Sequence, residues 1–560
     1  MSIATLMRPG AWQVVLKGSR LEINAWRRNG HCVGTTGQSP HMTSSTPSQT
    51  PNGPWWRGLN RYQITVFIFA SLGWMFDTMD QQIFTMSRSM SMRELVPDGD
   101  LNTQNKYGGY ATTCFILGWA TGGLIFGVLG DVWGRAKTMA LTIFIYAVFT
   151  GLSALSTTWV DFSIFRFLAG LGVGGEFAVG VALIAEVMPD RSRAGALGTL
   201  QALSALGNIM AAIIIGYKDE LGGWRNLYWV GAAPALLAGL VIFKLKEPEK
   251  WVQWREKVKA DPNAAKQPGR MRTLLGHPRW RRNALVGLTL AVAGVFGLWG
   301  VGFWSGELID STLPTMPTTT RDAIQKIVAA PSLTVQTNLV AKLDGNQTRS
   351  YSNLYKYTMP GGTKFDAVTV KTAALSEAQK TKMTKLLDKA LDPKEEPKLK
   401  RKAFILQQVG GFFGILLMSY VAGRFGRRIA LGVAMIGAYC GATFVFYTFQ
   451  DKSQITYLWL LLGVSTLMPF GCYAIYFPEL FPTSLRATGV SFCYNVGRYI
   501  TAFGPILLPQ LALQLHGRQE MSGFRMAALI MCSAYFIGLI ALIWAPETKG
   551  QPLPEEEATA

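Results

Sequence analysis

From about residue 62 onward this chain is divided into long apolar runs. Several exceed the roughly 20 residues that an α-helix needs to cross the hydrocarbon core of a bilayer. No other feature narrows the possible folds as far. A segment inside lipid must satisfy its own backbone polar groups, so only helices and closed barrels span. Barrel strands would be about ten residues long and alternating in polarity; these runs are neither. Charged residues make up 16% of the chain, against about 25% in soluble domains. Twelve spans are predicted, at residues 62–88, 107–128, 138–156, 159–186, 194–216, 224–245, 283–306, 403–422, 429–449, 455–477, 485–512 and 523–545. The expected fold class is an all-α integral membrane protein with 12 transmembrane helices, whose first partner is the lipid bilayer.

The formal net charge of +20 does not point to nucleic acid, and no nucleic-acid partner is expected. The basic residues sit in loops beside apolar segments, where they act as topology signals. One set of alternating loops holds Arg57, Arg61, Arg135, Lys137, Arg191, Arg193, Arg424, Arg427 and Arg428, and the 246–282 connection adds eleven more Lys and Arg. The positive-inside rule makes those loops cytoplasmic, with both termini inside an inner or plasma membrane. The Lys-rich segment 307–402 then falls outside, as long loops do whatever their charge. No G-x-x-x-x-G-K-[ST] loop for ATP is present. The four histidines are scattered and the six cysteines lack pairing or ligand spacing, so no metal site, no cofactor and no enzymatic chemistry are expected.

The predicted organisation has a disordered cytoplasmic tail at 1–54, an N-terminal six-helix bundle at 55–245 and a cytoplasmic linker at 246–282. A C-terminal six-helix bundle at 283–546 contains the outer insert 307–402, and a cytoplasmic tail follows at 547–560. For the Arg-rich, acid-poor leader, a transit peptide or a true start at Met42 are alternatives. The insert carries a glycosylation sequon at Asn346 and two stretches, 319–330 and 374–391, that read as amphipathic helices.

The two bundles follow from an internal repeat. Residues 185–194, AEVMPDRSRA, align with 478–487, PELFPTSLRA, and Gly134-Arg135 aligns with Gly426-Arg427 at almost the same offset. A parallel duplication of six helices sets two similar bundles about an axis along the membrane normal, with a site between them near the midplane. GVLGDVWGRAK at 127–137, RFLAGLGVGGE at 166–176, YFPELFPTSLRATG at 476–489 and PETKG at 546–550 resemble signatures of the major facilitator superfamily, in its sugar and organic-acid proton symporter branches. FDTMD at 76–80 is similar to the first-span motif of its aromatic-acid and sialic-acid symporters. The resemblance implies a transporter. It further implies that Asp131, Arg135 and Lys137, with Arg424 and Arg427 in the second half, latch the cytoplasmic side. Gly423 stands where the first half has Asp131, so the latch is expected on one side only. Glu186 with Arg193, and Glu479 with Arg486, read as repeat-related gate pairs.

Asp77 and Asp80 interrupt the first apolar run. A charged Asp at a helix centre costs roughly 2.5–3.5 kcal/mol on insertion scales, so an acid there marks a wet, functional position. Asp77, Asp80 and Gln81 are three and four residues apart and read as one polar face turned to a central cavity. Asp77 and Asp80 are expected to carry the coupling proton, or one of them to pair structurally with a base. Arg166 and Glu176 on the fourth span are further proton-coupling candidates. They are about 15 Å apart along a helix and so are not direct partners. Arg498, with Asn495 on the same face, either grips an anionic substrate or pairs with a first-span acid or Glu479. The resemblance adds Gln201, Asn208, Trp299, Tyr473 and Tyr476 as cavity-facing substrate contacts. Gly118, Gly122, Gly123 and Gly127, with Gly170 and Gly174, are assigned to close helix packing. The expected function is proton-coupled symport of a small-molecule carboxylate by a monomer using alternating access. A sugar or polyol porter is the alternative.

Overall fold

The structure is a computed structural model that describes residues 12–17, 20–25, 54–98, 101–233, 245–260, 271–300, 395–501 and 523–554, with short pieces between 305 and 368 and at 511 and 514. The chain divides into a small unit, Met1–Gly53, and a large one, Pro54–Ala560. In the small unit β1 (Trp12–Lys17) pairs antiparallel with β2 (Arg20–Ala25), Trp12 opposite Ala25 and Lys17 opposite Arg20. The tail predicted to lack structure thus carries one hairpin. In the insert, β3 (Val335–Gln336) pairs with β6 (Ala367–Val368), and β4 (Val340–Leu343) with β5 (Gln347–Ser350). The helices expected at 319–330 and 374–391 lie outside the described residues.

The rest is helical. The first half contains α1 (Arg61–Leu95), α2 (Leu101–Trp133), α3 (Arg135–Ser153), α4 (Trp159–Val187), α5 (Asp190–Gly216) and α6 (Trp224–Ala232). A helix α7 (Glu249–Ala260) follows. The second half contains α8 (Pro278–Gly300), α9 (Glu395–Phe425), α10 (Arg427–Thr448) and α11 (Ile455–Glu479). Next come α12 (Arg486–Ser491), a π-helical turn over Phe492–Val496 and α13 (Gly497–Thr501), then α14 (Gly523–Cys532) and α15 (Ala534–Ala541). Capping boxes start two of the long helices, Asn60 with Gln63 for α1 and Thr158 with Asp161 for α4, each satisfying donors that a helix start leaves open.

Among the described residues, nine helices are long and apolar enough to cross a membrane. With 35 residues α1 is longer than any of them, but Asp77 and Asp80 lower the apolarity of its middle. The sixth, seventh and eleventh predicted spans are described only in part.

The glycines decide how closely the helices approach. A Cβ on Gly118 or Gly122 of α2 would strike the carbonyl oxygen of Phe167 or Leu171 on α4, and one on Gly170 or Gly174 would strike that of Phe115 or Trp119 on α2. The second half repeats this, with Gly410 and Gly414 of α9 against Leu460 and Val464 of α11, and Gly463 against Gln407. Backbones meet directly where small residues recur every four positions. Gly123 and Gly127 have another role: they admit Asn495 and Ser491 of the opposite half. The halves meet along α2 with α12 and the π turn, and along α5 with α9.

Candidate functional site

One face of the bundle pair carries the basic connections, and its order begins at two glycines. Gly134 (φ 123°) precedes α3 and Gly426 (φ 118°) precedes α10, a backbone region that L side chains avoid. A carboxylate occupies the space that a side chain would need, Glu247 at Gly134 and Glu547 at Gly426. Glu247 accepts the N–H groups of Arg135 (2.7 Å), Ala136 (3.2 Å) and Lys137 (3.2 Å). Glu547 accepts those of Arg427 (2.9 Å) and Arg428 (3.0 Å). Each caps the open donors and positive end of a helix. The two arginines then turn inward. Arg135 reaches Asp131 (2.9 Å), Glu186 (3.0 Å) and the carbonyls of Gly130 (2.6 Å) and Thr483 (2.7 Å). Arg427 forks onto Glu479 (2.7 and 2.9 Å), which also accepts from Thr548 Oγ1 (2.6 Å).

Beyond the Arg135 bond to the Thr483 carbonyl, further connections cross between the halves at this face. Asp131 accepts the N–H of Ala487 (3.1 Å), the N–H of Thr488 (2.9 Å) and the Thr488 hydroxyl (2.6 Å), sitting on the first turn of α12. Arg486 donates to Glu186 at 2.8 Å. The Trp251 indole of α7 donates to the Asp131 carbonyl at 2.9 Å. At the repeat-related place, a Cβ on Gly423 would have only the Ala194 Cβ, at 4.0 Å, as a neighbour. Asp131 thus reaches across the halves, and no carboxylate stands at the repeat-related position 423.

The expected gate pairs have exchanged partners. Glu186 binds Arg135 and Arg486, Glu479 binds Arg427, and Arg193 pairs with Asp190 and donates to the Ala185 carbonyl (3.0 Å). The glutamates end α4 and α11 beside the first turns of α3 and α10, so the arginines of those turns reach them first. Lys137 and Arg424 are exposed, Arg424 over the Phe425 ring at 5.7 Å.

A second cluster lies midway along the helices. Asp77 of α1 and Glu176 of α4 are each 1% exposed and Arg498 of α13 is 7% exposed. A Cβ on Gly73, one turn before Asp77, would lie 2.5 Å from Glu176 Oε1. The charged groups acting on Asp77 are, in order, Glu176, Asp80 and Arg498. Arg498 donates to Asn495 Oδ1 (2.6 Å) and the Tyr494 carbonyl (3.3 Å) and lies over the Trp119 ring, 3.9 Å from its centroid. Aromatic rings line the cluster: Trp74 on Phe177 at 4.4 Å, and Phe177 on Tyr494 at 4.7 Å. Trp74 Nε1, Gln81 Nε2, Gln201 Oε1 and the hydroxyls of Tyr146 and Tyr494 are buried with no hydrogen-bond partner among the described protein atoms. Buried polar groups ordinarily have partners, so this concentration makes the cluster the candidate ligand position.

Asp80 does not share that face. Three residues along a helix turn the side chain about 60° from Asp77, and Asp80 points between α3, α4 and α6. There it accepts from the Thr150 hydroxyl at 2.8 Å and lies 3.9 Å from Arg166. Arg166 is fully buried. It donates to Ser153 Oγ (2.9 Å) and the Phe149 carbonyl (3.3 Å), among the rings of Tyr228, Phe84 and Phe162. It does not reach back to a surface.

The remaining predicted contacts are scattered. Asn208 of α5 donates to Gln408 Oε1 of α9 at 2.9 Å, across the halves. Tyr473 donates to the Leu290 carbonyl (2.5 Å) and Tyr476 to the Pro546 carbonyl (2.8 Å), both inside the second half. The side chain of Trp299 lies outside the described residues.

Residues 66–329 match the profile of the Major Facilitator Superfamily, and residues 402–559 match that of Sugar (and other) transporter. One profile covers much of each half around the duplicated motifs. The chain belongs to the major facilitator superfamily. Among curated relatives, a cis,cis-muconate transport protein of Acinetobacter baylyi is 26% identical over 490 residues, 87% of this chain and 95% of the relative. The niacin transporter NiaP of the same organism is 24% identical, covering 88% and 96%. The sialic acid transporter NanX of Escherichia coli is 31% identical over 207 residues, 37% of this chain and 49% of the relative. In fold, the chain is similar to the solved proton:xylose symporter XylE, with TM-score 0.56, 17% identity, and 88% and 98% coverage.

This superfamily member holds residues that sequence reasoning missed. Glu247 was available as the acid after the sixth span that corresponds to Glu547 of PETKG. Trp119, Tyr146 and Phe177 gave no signal, because a buried aromatic on a lipid-crossing helix looks the same whether it packs or lines a site.

Proposed function

We propose that this protein is a proton-coupled symporter of a small organic acid, working by alternating access as a monomer in the cytoplasmic membrane, with the basic face and both termini on the cytoplasmic side. One observation carries the reading: Asp77, Glu176 and Arg498 are enclosed together, between the two halves and against aromatic rings. A guanidinium suits a carboxylate ligand, and an acid beside it can exchange a proton. Substrate and proton enter from the outer side. A protonated Asp77 costs less to enclose than an aspartate, so the loaded site can close. The halves then rock, the Asp131 latch opens, and both cargoes leave inside. Asp80 and Arg166, held by Thr150 and Ser153, link the same helix to α3 and α4. Relatives named for muconate, niacin and sialic acid support an acid as cargo.

The purified protein in proteoliposomes, given an inward-directed proton gradient, is expected to accumulate at least one of cis,cis-muconate, nicotinate, benzoate or sialic acid. Asp77→Asn abolishes accumulation and leaves counterflow; retained accumulation rejects the coupling role. The sugar-transporter match over 402–559 favours a second reading, a sugar or polyol porter. Uptake that hexoses block and carboxylates leave unchanged would favour it.

A further inference from the structure

Among the described residues, the middle of the protein encloses three carboxylates and two guanidiniums: Asp77, Asp80 and Glu176 against Arg166 and Arg498. They fall into two groups. Asp80 has Arg166 at 3.9 Å and Thr150 at 2.8 Å, one acid to one base. Asp77 and Glu176 are left with Arg498, two acids to one base. Both Glu176 oxygens and Asp77 Oδ1 lack a hydrogen-bond partner among the described protein atoms. Glu176 is the strongest charged neighbour of Asp77, and it rests against Gly73 on the same helix.

The other ionisable groups around the pair are placed by helix. α3 brings the Tyr146 hydroxyl, which lies in the field of Asp77, Glu176 and Asp80. α4 brings Arg166 together with Glu176 itself. α6 brings Tyr228, against Arg166. The π turn and α13 bring Tyr494 and Arg498. From α2 and α5 the neighbours are Trp119, beneath Arg498, and Ser204 and Gly207, beside Thr78; none of these ionises.

Two carboxylates that share a dry site do not both stay charged. We propose that Asp77 and Glu176 form one shared-proton site, holding one proton between them when the site is empty and two when an anionic substrate rests on Arg498. The charge count closes in both states. Empty, the half-protonated pair balances Arg498. Loaded, the substrate carboxylate balances Arg498 and the pair is neutral. The second proton comes from the outer water with the substrate and leaves with it; the first never leaves. A monocarboxylate is then carried with one proton and no net charge, and a dicarboxylate is carried as its monoanion. The second proton rests on the symport reading above; the first does not.

Infrared spectroscopy of the purified, substrate-free full chain tests the first proton at neutral pH. A protonated carboxyl has a C=O stretch distinct from that of a carboxylate, and it moves in D₂O. The wild-type protein is expected to give this band. Asp77→Asn and Glu176→Gln are each expected to abolish it, because either leaves one carboxylate facing Arg498. Glu94→Gln, at the outer end of α1, and Glu176→Asp keep it. A wild-type protein without the band overturns the proposal, and so does a band that survives in either single amide variant. Proton uptake on adding benzoate tests the second proton, with one proton per benzoate bound expected. Two protons per benzoate overturn the shared site. Benzoate bound with no proton taken up, while the band behaves as expected, overturns the symport reading and leaves the shared proton standing.

Discussion

Removing the charge of Asp131 should unlatch the basic face by an amount that can be worked out. In the closed arrangement its carboxylate accepts two backbone N–H groups and one hydroxyl of α12, at 2.6–3.1 Å. It also sits at the positive end of that helix. Hydrogen bonds to a charged acceptor contribute about 1.5–3 kcal/mol each and neutral ones about half as much. Charge at a helix start adds about 0.3–1 kcal/mol. Asp131→Asn keeps one accepting oxygen and turns an NH₂ group toward donors. The loss for the closed state is therefore about 3 kcal/mol, roughly a hundredfold in the ratio of closed to open molecules. Arg135 keeps Glu186 and the Gly130 carbonyl, so the first half stays folded. Spin labels at the exposed positions Lys137 and Arg424, one in each half, report the separation at this face when the native cysteines are replaced. Asp131→Asn should move the distance distribution to longer values with little change in melting temperature. An unchanged distribution, or a fall in stability without a change in distance, would refute the latch.

Three other perturbations test separate parts of the structure. Gly423→Asp puts a carboxylate over the start of α5, near Ala194; it should narrow the same distribution toward short distances and slow turnover about tenfold, and faster turnover counts against it. Gly122→Val forces side-chain atoms onto the Leu171 carbonyl, and overpacking of about 1–3 kcal/mol should lower the melting temperature and yield in detergent; an unchanged melting curve would mean the helices can separate at no cost. Glu547 is raised by partial burial, but the N–H groups of Arg427, Arg428, Lys549 and Thr548 outweigh this and hold it below the ordinary glutamate value of 4.5. A depressed acid stabilises the folded state above its unfolded pKa and stops doing so as pH falls through its folded pKa. The melting-temperature gap between wild type and Glu547→Gln should therefore be full at neutral pH, shrink below about pH 4.5 and close at lower pH; a gap that widens on acidification contradicts the assignment.

The helices and the duplication were legible because both rest on patterns that lipid and helical geometry impose over many residues. Gly118, Gly122, Gly170 and Gly174 announced their backbone contacts through four-residue spacing alone. The asymmetry between Asp131 and Gly423 was legible for a related reason, since one half of the repeat serves as a reference for the other. Partner choice was not. Glu186 and Arg193 are seven residues apart in a repeated motif, yet Glu186 binds Arg135 and Arg486, because three helix ends converge on it. Asp77 and Asp80 looked like one polar face because a linear pattern does not reveal which neighbouring helix lies at each 60° step. The pairing of Asp77 with Glu176 depends on Gly73 leaving room for a side chain from α4, and spacing along one helix carries no trace of that.

The two glutamate caps have a consequence for how the chain could have been assembled. Glu247 follows the last helix of the first half and reaches back to the middle of that half, while Tyr62 at its beginning donates to the Lys246 carbonyl at 2.7 Å. In the second half Glu547 does the same for α10, and Arg282 at the beginning of α8 donates to the Trp544 carbonyl at 3.3 Å. Each half is thus knotted to itself by its own trailing segment. A gene severed between codons 260 and 271 would still encode two pieces that each carry their own fastening.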